Sequence, residues 1–129
     1  MIVVDSSVLV DALTMASGAE KIHTRIEAED LHAPHLIDVE VVSSLRGMVL
    51  RNHLGAARAT DALGDFDDLA ITRWNMADPL RRRAFQLRDR LSAYDATFVA
   101  LAESLQCPFL TRDRRLARAG GHDAAVEVL

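Results

Sequence analysis

The sequence predicts one α/β domain over residues 1–129, a three-layer sandwich with a mostly parallel sheet and helices on both faces. Two observations carry this. Short apolar, β-branched runs alternate with longer segments whose apolar residues recur at helical spacing. At 129 residues, half of them hydrophobic, the chain is also large enough to bury a core without disulfides. No low-complexity segment, linker or internal repeat divides it.

Each element has its own warrant. Ile2-Val3-Val4 reads as a first strand ending at Asp5, and Ser6 and Ser7 start a short helix with Val8, Leu9 and Leu13. A second helix spans 19–29, with Ile22 and Ile26 facing inward, and 31–33 is a short strand closed by Pro34. Asp38 reads as an N-cap for a helix whose stripe is Val41, Val42, Leu45, Met48 and Val49. After Gly55, Ala59, Leu63 and Phe66 mark the next helix, and 70–74 is a weak strand. Pro79 opens a helix at its first turn, with Leu80, Ala84, Leu87 and Leu91 as its stripe. Ser92 precedes a helix in which Tyr94, Phe98, Leu101 and Leu105 share a face. Residues 108–111 read as a strand, an arginine-rich helix runs to Gly120-Gly121, and 125–129 is a closing edge strand.

Composition narrows the function classes. The single cysteine, Cys107, forms no internal disulfide and reads as a small buried hydrophobe. No apolar run reaches the length of a membrane span, and the N-terminus has no basic signal-peptide region, so the expectation is a cytoplasmic protein with no membrane partner. The net charge of −4 argues against nucleic-acid binding by bulk positive charge. It hides an asymmetry: residues 1–72 carry five Lys/Arg against twelve Asp/Glu, and residues 73–118 carry ten Arg against five acids. Such a division suits a site that needs cations at its centre and phosphate-holding groups around it, although ordinary solvated helix faces produce the same counts.

Sites in open parallel sheets lie beyond the carboxyl ends of the strands. Asp5 and Asp113 follow two strands directly, and Glu40 and Asp95 sit in the first turns of two helices that can face the same edge. Carboxylates held together repel one another, and a hard divalent cation removes that repulsion; oxygen donors favour Mg²⁺ or Mn²⁺ over zinc. Each acid also has a local explanation. Asp5 and Asp113 can cap helices, and Glu40 and Asp95 can complement helix dipoles. Spacing alone leaves both readings open.

The surrounding motifs go further. Ile-Val-Val-Asp5-Ser6-Ser7 resembles the first motif of PIN-domain nucleases, and Leu36-Ile37-Asp38-Val39-Glu40-Val41 resembles the second. Tyr94-Asp95-Ala96-Thr97-Phe98-Val99-Ala100-Leu101-Ala102 is similar to the third, and Phe109-Leu110-Thr111-Arg112-Asp113-Arg114-Arg115-Leu116-Ala117 to the fourth. Order, spacing and chain length resemble the VapC-type toxins of type II toxin–antitoxin systems. The resemblance implies a PIN-like fold and a Mg²⁺- or Mn²⁺-dependent endoribonuclease acting on RNA. In it, Asp5, Glu40, Asp95 and Asp113 are the catalytic and metal-coordinating acids. It further implies a homodimer and a cognate antitoxin partner. Ser7 and Thr111 become supporting residues for the acids.

The arginines at 81, 82, 83, 88, 90, 112, 114, 115 and 118 are candidate phosphate contacts, with Arg112 and Arg114 foremost because they flank Asp113. His32 and His35 lack the companions a zinc site needs, and His23, His53 and His122 read as surface. Trp74 reads as a packing residue. A phospho-acceptor receiver domain needs a lysine near its last strands, but the only lysine is Lys21. A haloacid-type hydrolase needs the same late lysine and a second aspartate two residues after Asp5, where Ser7 stands. A catalytically silent PIN-like module that binds RNA or protein remains the alternative.

Overall fold

Asp5 ends the central strand of a wholly parallel sheet in the computed structural model, which describes residues 1–129. The strands are β1 (Ile2–Val4), β2 (Leu31–Pro34), β3 (Ile71–Trp74), β4 (Phe109–Thr111) and β5 (Val126–Val128), in the order β3-β2-β1-β4-β5. Val3 lies opposite His32 on one side and Phe109 on the other. The helices are α1 (Ser6–Leu13), α2 (Ala19–Ile26), α3 (Leu36–Leu50), α4 (Ala56–Asp67), α5 (Asp78–Gln86), α6 (Ala93–Leu105) and α7 (Arg114–Arg118). From β1 the chain steps outward through β2 to β3, then crosses back to β4 on the other side of β1. That reversal puts a topological switch point between β1 and β4. Right-handed crossovers in opposite directions place their helices on opposite faces. Accordingly α1 packs on α2, α3 and α4, while α6 packs on α5 and across β1, β2 and β4.

β1 is buried along its whole length, as a central strand covered on both faces must be. α6 is buried continuously from Ala96 to Ala102, and Phe98 stacks on Phe109 of β4 with centroids 5.8 Å apart. A helix enclosed between a sheet and another helix is buried nearly all round, which holds its first turn in place beside the sheet edge. No helix is long and apolar enough to cross a membrane.

Several boundaries depart from the sequence reading. Asp38 does not cap α3: the helix begins at Leu36 after His35, and Asp38 instead receives Arg73 of β3 in a two-oxygen ion pair. Glu40 therefore stands in the second turn. Ile37, Val41 and Leu45 form the buried stripe of α3, and Val42 is exposed, because i, i+4 steps keep one face and Val42 turns off it. Tyr94 is likewise exposed, away from Phe98 and Leu101. α2 ends at Ile26. α5 ends at Gln86, yet Leu87 and Leu91 remain in the core through a following turn in which the Leu91 amide donates to the Leu87 carbonyl. Cys107 is buried, as expected of a small hydrophobe. Trp74 donates its indole N–H to Nδ1 of buried His32 at 3.0 Å, so that ring nitrogen is an acceptor engaged within the fold.

Candidate active site

β1 ends where its backbone can no longer stay extended and become helix without a cap, and Asp5 supplies the cap. Its Oδ1 accepts from the Val8 amide at 3.1 Å, starting α1, and from the Ser7 hydroxyl at 2.6 Å. Its Oδ2 accepts from the hydroxyl of Thr111, a fully buried residue at the end of β4. The Asp5 amide also donates to the Leu110 carbonyl at 3.3 Å. The capping and functional readings of Asp5 are therefore not alternatives, because the cap is what fixes the carboxylate at the switch point. Burial pushes the Asp5 carboxyl above its ordinary range, outweighing the donors from Ser7, Thr111 and Val8 that favour its charged form.

Glu40 comes to the same edge from α3, where Ser6 donates to its Oε2 at 3.2 Å. Its carboxyl is also raised, chiefly by burial and further by the negative charges of Asp5 and Asp95. Asp95 enters from the first turn of α6, its amide donating to the Ser92 hydroxyl at 3.1 Å. Three acids from three elements thus lie within electrostatic reach of one another. They are not drawn into a closed cluster of three ligating groups.

Asp113 reaches the edge differently. It caps α7 through the Arg115 amide at 2.9 Å, and its own amide donates to the Thr111 hydroxyl at 3.0 Å. Its carboxylate pairs with the Arg115 guanidinium, which holds the carboxyl below its usual range. Arg115 is almost fully solvated, so this pair is weakly held.

The supporting residues divide. Ser7 donates to Asp5 and accepts from the Arg112 amide at 3.0 Å, joining the β1 and β4 loops. Thr111 does the same between Asp5 and Asp113. The Arg112 side chain is committed to structure: it pairs with Asp11 at 2.9 Å and donates to the Ser17 carbonyl at 3.0 Å. There it lies over Gly18, whose φ of +85° suits glycine and where a Cβ would stand 2.9 Å from the guanidinium. Arg114 is exposed and makes no ion pair, which leaves it, of the two arginines flanking Asp113, as the candidate phosphate contact. Sequence reasoning treated Ser6 only as a helix-starting residue and Arg115 only as a candidate phosphate contact. The hydroxyl directly after Asp5 was the signal for the Ser6–Glu40 contact, and the two-residue separation was the signal for the Asp113–Arg115 pair.

Hard oxygen donors from β1, α3, α6 and the β4–α7 loop meet at one sheet edge, with unbalanced negative charge among the first three. That donor set fits a divalent cation that retains part of its water shell.

The PIN domain family model matches residues 2–122. The chain is 43% identical over 129 residues to Ribonuclease VapC9 of Mycobacterium tuberculosis, covering 100% of this chain and 98% of the relative. Its fold is similar to that of FitAcB from Neisseria gonorrhoeae, with a TM-score of 0.73 and 16% identity over 98% of this chain and 96% of that one. It is also similar to a toxin–antitoxin complex from Klebsiella pneumoniae, with a TM-score of 0.62 and 19% identity over 88% of this chain and 87% of that one. On its motifs, its fold and these likenesses, the chain belongs to the PIN-domain family and, within it, to the VapC group.

Proposed function

We propose that this protein is the toxin of a type II toxin–antitoxin pair, an endoribonuclease that hydrolyses RNA phosphodiester bonds with Mg²⁺ or Mn²⁺. The observation that carries the reading is Glu40, half-buried and facing the charges of Asp5 and Asp95 with no basic side chain between them. In a protein without a cation this crowding is unfavourable; a bound cation makes it favourable. The 43% identity to a relative named as a ribonuclease, over the whole chain, supports the same reading.

Asp5, Glu40 and Asp95 would hold the cation directly or through water, and Asp113 would join them when Arg115 swings away. The cation supplies charge neutralisation at phosphorus and a bound water of lowered pKa. The chain's own groups do the rest. Ser7 and Thr111 fix the Asp5 carboxylate in one orientation. The buried α6 keeps Asp95 in register with it. Arg114 offers a planar fork of donors to a phosphate arriving at the edge.

An antitoxin is the second component of this reading. Its basic side chain would occupy the acidic edge in place of the cation, and the likeness to a toxin–antitoxin complex supports such a partner. A homodimer is expected in solution and is checked by light scattering. Co-purification from the native operon tests the antitoxin; recovery of only the free protein refutes it.

The decisive test is cleavage of cellular RNA by wild type, Asp5→Asn and Asp95→Asn proteins with and without chelator, with the new RNA ends sequenced. Cleavage is expected only for the wild type with metal. Activity that persists in chelator or in either variant overturns the mechanism. Folded variants and wild type that bind RNA without cutting it would establish the silent module instead.

A further inference from the structure

The chain has six aromatic residues beside its histidines: four Phe, one Tyr and one Trp. Phe66, Phe98 and Phe109 are buried, and Trp74 is tied to His32. Only Phe85 and Tyr94 stand mostly free of the fold, 67% and 63% exposed. Both flank the start of α6, the helix that carries Asp95.

Phe85 is one wall of a slot of about 450 Å³ between α5 and the first turn of α6. Met76 and Leu91 give it an apolar floor, and Ser92 and Ala93 form its edge nearest Asp95. The Arg88 guanidinium lies 4.6 Å from the centre of the Phe85 ring, and its only hydrogen bond is to the Phe85 carbonyl at 3.2 Å. No acid lines the slot, whereas two arginines do. Of these, Arg81 is held by Asp78 and the Met76 carbonyl, which leaves Arg88 as the cation without an acidic partner.

A mainly apolar slot with an arginine–aromatic pair and no acid in its lining matches the chemistry of an unpaired nucleobase, which offers a π-face on an anionic backbone. Its place agrees. Ala93 and Thr97 turn one side of α6 toward the slot, and Asp95 lies round the helix from them, about one helix diameter away, ~10–12 Å. A strand crossing that turn reaches both.

We propose that the α5–α6 slot is a specificity subsite that stacks an unpaired RNA base, next to the scissile phosphate, on the Phe85–Arg88 pair. The proposal rests on the ribonuclease reading for its substrate. A protein surface is the competing occupant, and the absence of acids at the rim together with the nearness of Asp95 favours RNA.

The test uses the full-length protein and a labelled RNA oligonucleotide spanning a mapped cleavage site, with abasic versions at each flanking position. Binding is read by fluorescence anisotropy in chelator, and kcat and KM with metal. Phe85→Ala is expected to weaken binding and raise KM about 5- to 150-fold, the usual range for one lost base stack, with kcat unchanged. One abasic position should cost the wild type the same factor and cost Phe85→Ala nothing, and Phe85→Tyr should restore both values. Because the ring is exposed, the variant keeps its fold. Unchanged KM and binding with no abasic coupling overturn the proposal. A changed oligomeric state with unchanged RNA binding also overturns it and assigns the slot to a protein contact. Phe85-dependent binding by a protein that cuts no RNA upholds the slot and refutes the ribonuclease reading.

Discussion

One hydroxyl, that of Thr111, serves two of the four acids: it donates to Asp5 and accepts from the Asp113 amide. The bond to Asp5 is buried and the one from the Asp113 amide is half-buried, and a hydrogen bond left unmet there is expensive. Thr111→Val keeps the shape and removes both. It should cost about 1–3 kcal/mol in thermal or denaturant unfolding. It should also lower cleavage about 10- to 100-fold, as loss of an orienting group around a metal site does. Thr111→Ser keeps the hydroxyl and should recover most of the activity. A Val variant as active as the wild type would show that Asp5 needs no orienting partner from β4.

At the scale of elements, α5 and α6 are joined by Arg83 and Glu103 through contacts of 2.7 and 2.9 Å. The same pair reaches the segment before β5: Glu103 accepts from the Asp123 amide at 2.9 Å, and Arg83 donates to the Gly121 carbonyl at 3.0 Å. Glu103 is the more enclosed partner, 14% exposed against 31%. Arg83→Ala should therefore destabilise by about 1–2 kcal/mol, the value of a charged hydrogen bond reduced for solvent screening. Arg83 holds the Glu103 carboxyl below its ordinary value of 4.5. A depressed acid stabilises the fold above its ordinary value and loses that contribution as pH falls through the lower folded value. Glu103→Gln should accordingly show a flatter loss of stability below pH 4.5 than the wild type. Parallel stability–pH curves in acid would mean that the pair contributes little.

Over the whole molecule, an acidic N-terminal half and an arginine-rich later half meet at one sheet edge, and the edge itself is left negative. Glu40 is raised above its ordinary value of 4.5, so the stability tied to its neutral form is complete below that value and is lost as pH rises through the folded one. At neutral pH the metal-free protein carries that repulsion. Glu40→Gln should raise the metal-free melting temperature by a few degrees, the shift expected for about 1 kcal/mol. Mg²⁺ or Mn²⁺ at about 100 times its Kd should stabilise the wild type by about 2.7 kcal/mol and the variant much less. A melting temperature indifferent to both cations in the wild type would argue against a metal site at this edge.

The sequence by itself determined the α/β class, the parallel sheet, the positions of Asp5, Asp95 and Asp113 at element ends and, through four motifs, the PIN-domain family. Those features are local: a strand's run, a helix's period and a capping residue are readable within a few neighbours. Tertiary structure alone decided which charges remain free. Asp38 left its cap position for Arg73, and Arg112 turned to Asp11 and the Ser17 carbonyl. Tyr94 and Val42 left the stripes assigned to them, because a period marks a face without saying where the neighbouring helix stops covering it. The slot beside Phe85 belongs to the same class, being made where α5 and the turn after it meet the first turn of α6. Charge pairs and cavities depend on side chains that meet across the fold, and a one-dimensional pattern holds no record of those distances.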